Sequence, residues 1–245
     1  MTENLDAYKS AYTPQFPYHH DEELLLQAYS GKIVSRLGNL RGLRLLSLGI
    51  GGQTVSATLR TKLDIDEYHI VEGSGDIIAA YREATSPPGN VIIHHDRFET
   101  IVLDGRFDAI EMGFVLEHVD DPALVLRRFR QFLKADGTLF TAVPNARSLH
   151  RMLGHAAGML TDLYALSPSD RELGHKRYFD AQTFEETVST AGYTVIQRDG
   201  LVLKPLATAQ LQSLDFPPAI ERALIEVGYS LPDICNGIML TAKPA

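Results

Sequence analysis

The sequence predicts an α/β domain with a mainly parallel sheet, and three observations support this fold class. Short apolar runs typical of buried strands recur along the 245 residues, segments with helical spacing lie between them, and the first apolar run ends abruptly in glycines. Strands that alternate with helices are joined by right-handed crossovers and form mainly parallel sheets. A chain of this length can bury a substantial core, so we expect residues 1–245 to form a single domain.

The first predicted strand and the glycine turn after it organise the rest of the chain. The strand is the apolar run from Leu45 to Leu48, and Gly49, Gly51 and Gly52 follow it. Glycines permit backbone conformations that other residues avoid, and they leave room for a ligand against the main chain. The next strand ends in Glu72, 23 residues after Gly49, close to the ~20 residues expected for an acid that binds ribose hydroxyls. We therefore expect a nucleotide-like ligand at this turn.

The elements around this turn follow from local signals. Residues 1–20 are rich in aromatic residues and histidines, so we expect an arm over residues 1–30 that packs on the domain surface. Asp21 is predicted to cap a helix. The next predicted elements are a helix near 53–62, a helix near 75–84 and strands at 91–95, 107–112 and 137–143. Asp121 and Pro122 are typical of a helix start and precede the last of these strands.

The second half of the chain combines two cap segments with the end of the sheet. Residues 146–180 predict an inserted helical cap, and residues 203–233 predict a second cap segment with two short helices. Asp180 can cap a further helix, and strands near 193–202 and 236–242 should complete the sheet. In open parallel sheets, ligands bind beyond the carboxyl ends of the strands, so Gly49, Glu72 and Asp96 should converge there.

Composition excludes several classes of partner. Lysine and arginine number 23 against 31 aspartate and glutamate residues, a net charge of −8 that argues against nucleic acid, whose phosphates require clustered basic residues. Cys235 is the single cysteine and cannot form an internal disulfide. No apolar run approaches the ~18 residues of a membrane helix, and no signal peptide is evident. We expect a cytoplasmic protein with a small-molecule partner and no membrane partner.

Successive motifs resemble those of one family. The runs LSLGIGG, VEGS, FDAIEMGFVLEHVDDP and GTLFTAVPN are similar in order to the motifs of class I S-adenosylmethionine (SAM)-dependent methyltransferases over roughly residues 40–200. The core looks like that of bacterial small-molecule methyltransferases, including those of ubiquinone biosynthesis. Two positions depart from the pattern, since Ser47 replaces a usual acid and Gln53 a usual third glycine.

This resemblance implies a Rossmann-like class I methyltransferase sheet, mainly parallel with a C-terminal antiparallel pair and with helices on both faces. It adds an N-terminal arm and a helical cap insertion, and it offers a lid over the active site as a second interpretation of the arm. Its cofactor is SAM. The implied cofactor-binding residues are Gly49, Gly51, Gly52, Glu72, Gly73, Asp96, Arg97, Phe98 and Met112. Asp96 would accept a hydrogen bond from the adenine amino group, although it could merely cap the next turn.

The chemistry of methyl transfer needs few protein groups, because the sulfonium of SAM already activates the methyl group. Where the acceptor is a hydroxyl or a protonated amine, a histidine is the usual base. His175, in the cap, is the preferred candidate, and His118, just beyond the fourth strand, is the other. The cluster around Arg177 could bind an anionic part of the acceptor or be a solvated turn. Predicted acceptor-binding residues are Tyr18, His19, Asn145 and Arg177, and no metal site is expected.

The sequence thus predicts SAM-dependent methyl transfer to an oxygen or nitrogen of a small-molecule metabolite in a cofactor, glycan or natural-product pathway. Two alternatives stay open. A nicotinamide-dependent oxidoreductase would also place an acid after the second strand, but its usual third glycine falls at Thr54. A catalytically idle SAM-fold binding subunit is favoured by Ser47 and Gln53. The sequence leaves the acceptor atom and homodimer formation open.

Overall fold

The computed structural model describes residues 5–6, 16–51 and 53–245, and a seven-stranded sheet runs through this part of the chain. The strands are β1 (Leu43–Leu48), β2 (Ile65–Glu72), β3 (Val91–His95), β4 (Phe107–Gly113), β5 (Leu133–Pro144), β6 (Tyr193–Leu201) and β7 (Gly237–Pro244). Their spatial order is β3-β2-β1-β4-β5-β7-β6. Strands β1 to β5 pair in parallel, and β7 pairs antiparallel with both β5 and β6. The predicted fold class is confirmed.

Helices lie between the strands where the sequence predicts them. They are α1 (His19–Leu37), α2 (Thr54–Lys62), α3 (Gly75–Thr85), α4 (Pro122–Arg130), α5 (Leu149–Ala156), α6 (Pro168–Glu172), α7 (Ala181–Thr190), α8 (Thr208–Ser213) and α9 (Pro218–Gly228). The Asp121 carboxylate accepts a hydrogen bond from the Leu124 backbone N–H, and Asp180 does the same for Thr183. Both predicted helix starts are therefore confirmed, because each depends on a contact within the first turn. No helix in the described ranges is long and apolar enough to cross a membrane.

The sheet carries an apolar layer on each face. On one face, α4 and α7 contribute buried residues such as Phe129 and Phe184, which pack with Ile110 of β4. On the other face, α1, α2 and α3 pack against Leu45, Ile70 and the opposite side of the central strands. Side chains of a strand point alternately to the two faces, so each central strand serves both layers. This arrangement leaves the carboxyl ends of the parallel strands open at one edge.

Helix α1 corrects the predicted arm. The arm was expected to extend to residue 30, but α1 begins at His19 and buries Leu25, Ala28 and Tyr29 in the core. Asp21 is not its N-cap; it lies in the first turn, and its carboxylate accepts a hydrogen bond from the Lys204 ammonium at 2.5 Å. The remainder of the arm prediction, on residues 1–4 and 7–15, lies outside the described residues.

The two predicted cap segments contain helices and meet each other. Helices α5 and α6 lie within residues 146–180, and α8 and α9 lie within residues 203–233. The backbone N–H of His150 in α5 donates to the carbonyl of Lys204 at 3.2 Å. Because Lys204 also binds Asp21, both segments and α1 come together beside the carboxyl ends of the strands.

Candidate active site

A cavity of about 480 Å³ opens at the carboxyl ends of β1, β2 and β4, a size within the usual range for small-molecule sites. Gly49, Gly51, Glu72 and Gly73 line one end of it. The other end is lined by residues of the cap segments and α1, including Glu22, Asp170 and His175. One continuous cavity therefore joins the glycine turn to the predicted catalytic histidines.

The glycine turn has the conformation that glycine uniquely favours. Gly49 and Gly51 have φ angles of +82° and +53°, and no described atom lies within 4 Å of a Cβ added at either position. Glu72 braces this turn: its two carboxylate oxygens accept hydrogen bonds from the backbone N–H of Ile50 at 3.0 Å and of Ser74 at 2.8 Å. Each oxygen keeps a second lone pair for a ligand hydroxyl. Gly52 lies outside the described residues.

The remaining predicted cofactor residues divide into two groups. Asp96, Arg97 and Phe98 line the cavity, and Asp96 accepts hydrogen bonds from the Arg97 N–H at 2.7 Å and the Thr100 hydroxyl at 3.0 Å. Asp96 thus has the turn-capping contacts of the alternative interpretation while it also faces the cavity. Met112 is fully buried away from the cavity, and its carbonyl accepts a hydrogen bond from the Thr141 hydroxyl. The next two residues, Gly113 and Phe114, line the cavity in its place.

Ser47, where the resembled family has an acid, faces a carboxylate from the neighbouring strand. Ser47 pairs in register with Glu111 of β4, which lines the cavity. Glu111 accepts hydrogen bonds from the Tyr29 hydroxyl and the Gly113 N–H, both at 3.2 Å. Burial raises the pKa of Glu111 to about 7, although these hydrogen bonds and one from Ser47 oppose the shift. Glu111 thus places a carboxylate at the level of Ser47 on the neighbouring strand.

The predicted catalytic histidines lie together at the far end of the cavity. The ring centres of His118 and His175 are 4.8 Å apart, and the potential ligand atoms of these two side chains and Glu117 all lie within 4.8 Å of one another. Burial lowers the pKa of His118 to about 3, with the nearby His175 as the next cause. His118 is therefore held neutral. Glu117, His118 and His175 thus form a cluster of potential metal ligands, which the sequence analysis did not predict.

An aspartate carboxylate lies beside His175. Its Nδ1 atom lies 3.5 Å from a carboxylate oxygen of Asp170. That oxygen accepts a hydrogen bond from the Tyr178 hydroxyl at 2.9 Å, and the other oxygen accepts one from the Ser167 N–H at 2.7 Å. Although burial acts in the opposite direction, the nearby His175 imidazole and the hydrogen bonds from Ser167 and Tyr178 lower the pKa of Asp170 below its usual value. A fixed carboxylate thus faces one nitrogen of the His175 imidazole.

Two of the four predicted acceptor-binding residues are structural. Tyr18 and His19 line the cavity. Asn145 is buried, and its amide donates hydrogen bonds to the carbonyls of Asp233 at 3.1 Å and Cys235 at 3.0 Å, so it joins β5 to the end of the second cap segment. The Arg177 guanidinium donates to carbonyls after β4, those of Leu116 and Asp120 both at 3.0 Å and that of Val119. The prediction that Asn145 and Arg177 contact an acceptor is therefore corrected, because their side-chain N–H groups donate to backbone carbonyls instead.

The sequence interpretation missed Glu22 and Glu117. Glu117 is fully buried, and neither of its carboxylate oxygens accepts a hydrogen bond from another residue that the structure describes. Burial raises the pKa of Glu117 to about 7, and burial also raises that of Glu22 to about 7, with the nearby His175 opposing both shifts. The position of Glu117 next to His118 was the signal that could have found it.

The fold and site define the class of protein. A seven-stranded sheet with an antiparallel β7, a positive-φ glycine turn after β1 and an acid at the end of β2 characterise a class I SAM-dependent methyltransferase. Residues 18–198 match the family profile described as "Methyltransferase domain", and the chain belongs to this family. The oxidoreductase alternative is set aside by this membership.

Two curated relatives and two solved structures extend the comparison. The chain is 25% identical to a ubiquinone biosynthesis O-methyltransferase of Azorhizobium caulinodans over 74% of this chain and 71% of that protein. It is 26% identical to the enzyme of the same name from Mesorhizobium japonicum, over 81% and 82%. An S-adenosylmethionine-dependent methyltransferase from Mesorhizobium loti has a TM-score of 0.61 at 16% identity, with 88% and 97% of the two chains covered. Magnesium protoporphyrin IX methyltransferase from Synechocystis has a TM-score of 0.61 at 12% identity, with 98% and 94% covered. At these identities, the two structures support the fold alone.

Proposed function

We propose that this SAM-dependent methyltransferase methylates a hydroxyl or amine of a small-molecule metabolite. The observation that carries the proposal is the single cavity that joins the glycine turn to the His118 and His175 imidazoles. The curated relatives are named O-methyltransferases, which supports an oxygen acceptor. Their names also point to an acceptor from cofactor biosynthesis, but at 25% and 26% identity the particular acceptor is not carried over to this chain.

The cofactor end of the cavity fits SAM. Gly49 and Gly51 leave open space beside the main chain, and Glu72 offers lone pairs for ribose hydroxyls. Asp96, with Arg97 and Phe98 beside it, would hold the adenine. When bound, SAM supplies a methyl group that its sulfonium activates. The protein then needs to align the acceptor and exclude water.

His175 is the proposed general base. It lines the acceptor end of the cavity, and Asp170 positions it by facing Nδ1, which leaves Nε2 for the acceptor proton. The neutral His118 packs edge-on against it and helps to fix the ring. Tyr178 acts through Asp170, because its hydroxyl holds the carboxylate that faces His175.

Residues 5–6 of the arm are proposed to cover the cofactor end as part of a lid. Leu5 lines the cavity and lies against Gly73, while the Asp6 carboxylate accepts a hydrogen bond from the Ser74 hydroxyl at 2.6 Å. Tyr18 and His19 line the cavity where α1 begins. A lid of this kind should be cleaved more slowly by a protease when SAM is bound, and equal cleavage rates would oppose it.

Mass spectrometry of ligand released from the purified protein tests the cofactor. We expect SAM or its demethylated product, S-adenosylhomocysteine (SAH), and a nicotinamide dinucleotide would overturn the proposal. Methyl transfer from labelled SAM to a panel of hydroxyl- and amine-bearing metabolites then tests activity. SAM binding without turnover of any acceptor would favour an idle binding subunit instead.

A further inference from the structure

The buried carboxylate of Glu117 lacks hydrogen-bond donors at the acceptor end of the cavity. It has no exposed surface, it lines the cavity, and no other described residue donates to either of its oxygens. A buried charge without partners is costly, so native proteins pair such groups or bind a ligand with them. Both oxygens therefore lack the donor that a ligand in the adjoining cavity could supply.

Glu22 adds a second carboxylate to the same end of the cavity. It lies in the first turn of α1, lines the cavity and interacts electrostatically with His175, as Glu117 does. Burial raises the pKa of both groups because each carboxylate is hard to ionise there without a cation. The two acids approach His175 from different elements, α1 and the segment after β4.

The basic side chains around these acids are already engaged. Lys204 binds Asp21 at 2.5 Å, and Lys176 binds Asp120 at 2.7 Å. Arg151 donates to the carbonyl of Leu163 at 2.8 Å and stacks over the Tyr178 ring. A cationic ligand would therefore be the group that favours ionisation of Glu117 and Glu22.

We propose that Glu117 and Glu22 bind an ammonium group of the acceptor, so that the methylated atom is an amine nitrogen that His175 deprotonates. This inference rests on the proposed function and narrows its substrate class to amines, against the oxygen acceptor that the names of the curated relatives support. An ammonium donates three charge-assisted hydrogen bonds, which match two carboxylates and one imidazole nitrogen. Glu117 and His175 each place a potential acceptor atom within 4.8 Å of the other, and Glu22 lines the same cavity.

The charge balance of the reaction favours nitrogen. The ammonium gives one proton to His175, the freed lone pair forms the new C–N bond, and the C–S bond breaks with its electron pair passing to sulfur. The products are SAH and a methylated ammonium, so the acceptor again carries a positive charge beside Glu117 and Glu22. Deprotonation of a hydroxyl would instead place negative charge beside two carboxylates, which raises its energy.

Binding of matched probes to the SAH-loaded protein tests the inference. Phenethylamine is compared with 2-phenylethanol, and hexylamine with 1-hexanol, by calorimetry at near-neutral pH. We expect at least one amine to bind about tenfold more tightly than its alcohol, and Glu117→Gln to remove about tenfold of that preference, as the loss of a charge-assisted hydrogen bond predicts. Glu83→Gln, on the exposed face of α3, is the matched control and should keep the preference.

Several outcomes overturn the inference. Equal affinity for amine and alcohol in both pairs would do so, and so would a preference that Glu117→Gln leaves intact. Stoichiometric Mn²⁺ binding by the wild type that Glu117→Gln abolishes would assign the cluster to a divalent cation instead. If Glu117→Gln does not fold, Glu22→Gln replaces it, because Glu22 is only half-buried. Failure of the wild type to bind SAH would refute the proposed function itself. The other outcomes refute only the ammonium inference, so the two results can be told apart.

Discussion

Replacing Glu72 with alanine should weaken both the glycine turn and SAM binding. Glu72 is 8% exposed, and its carboxylate holds the backbone N–H groups of Ile50 and Ser74. A hydrogen bond to a charged group contributes about 1.5–3 kcal/mol. Glu72 makes two of them, but in the alanine variant water can enter the vacated space and satisfy the freed N–H groups. We therefore expect the free energy of unfolding to fall by about 2–4 kcal/mol. Loss of the ribose contact should weaken binding by a further ~1.5–3 kcal/mol, or at least about tenfold in affinity.

Calorimetry with SAH and urea unfolding measure the two effects separately. Asp66→Ala is the matched control, because Asp66 lies on the same strand with an exposed side chain and should change neither quantity. Glu72→Gln keeps the shape but sets an amide N–H₂ against one of the backbone donors, so its effects should lie between those of the wild type and the alanine variant. Unchanged SAH affinity in Glu72→Ala would refute the ribose assignment, and unchanged stability would refute the bracing of the turn.

Three further predictions follow from the same cavity. Gly51→Val should weaken SAH binding in calorimetry because a φ of +53° strains the backbone of a valine, although no described neighbour blocks the new Cβ. A normal affinity would show that the turn tolerates this strain. His175→Ala should lower the methyl-transfer rate by ~10²–10⁴-fold with SAM affinity nearly intact, and Asp170→Asn should lower the rate less; a near-normal rate for His175→Ala at saturating substrates removes it from the chemistry. The unfolding free energy of the unliganded protein should fall as pH rises from 4.5 towards about 7, because folded Glu117 keeps a proton that the unfolded chain releases, as do Glu22 and Glu111; Glu117→Gln should make this pH profile less steep in urea titrations, and an unchanged profile would contradict the raised pKa of Glu117.

The elements that the sequence predicted best are those set by local contacts. Asp121 and Asp180 each cap a helix through an N–H three residues away, so the signal and its partner lie in one short window. The strands β1, β4 and β5 were recognisable because a strand buried on both faces is a short apolar run. The antiparallel pairing of β6 and β7 came from the family resemblance, because no local pattern in the sequence states the direction in which a strand pairs.

The site was harder to predict because remote segments decide which polar side chains face the cavity. Asn145 follows β5 at a position where a substrate contact was plausible, but carbonyls 88 and 90 residues later take its donors. Glu117 is buried by contacts with the cap near His175, which no local pattern encodes. The position of α1 also depends on distant partners, and so the predicted arm extended too far.

Those distant partners of α1 have a consequence for synthesis on the ribosome. The Tyr29 hydroxyl donates to the Phe140 carbonyl at 3.0 Å across 111 residues, and Arg36 binds Asp199 at 2.5 Å across 163 residues. Helix α1 therefore leaves the exit tunnel long before β5 and β6, which supply these two partners. Contacts at such separations close slowly, and exposed apolar surface invites association in the meantime. We expect the nascent chain to depend on chaperone protection of α1 until β6 has emerged.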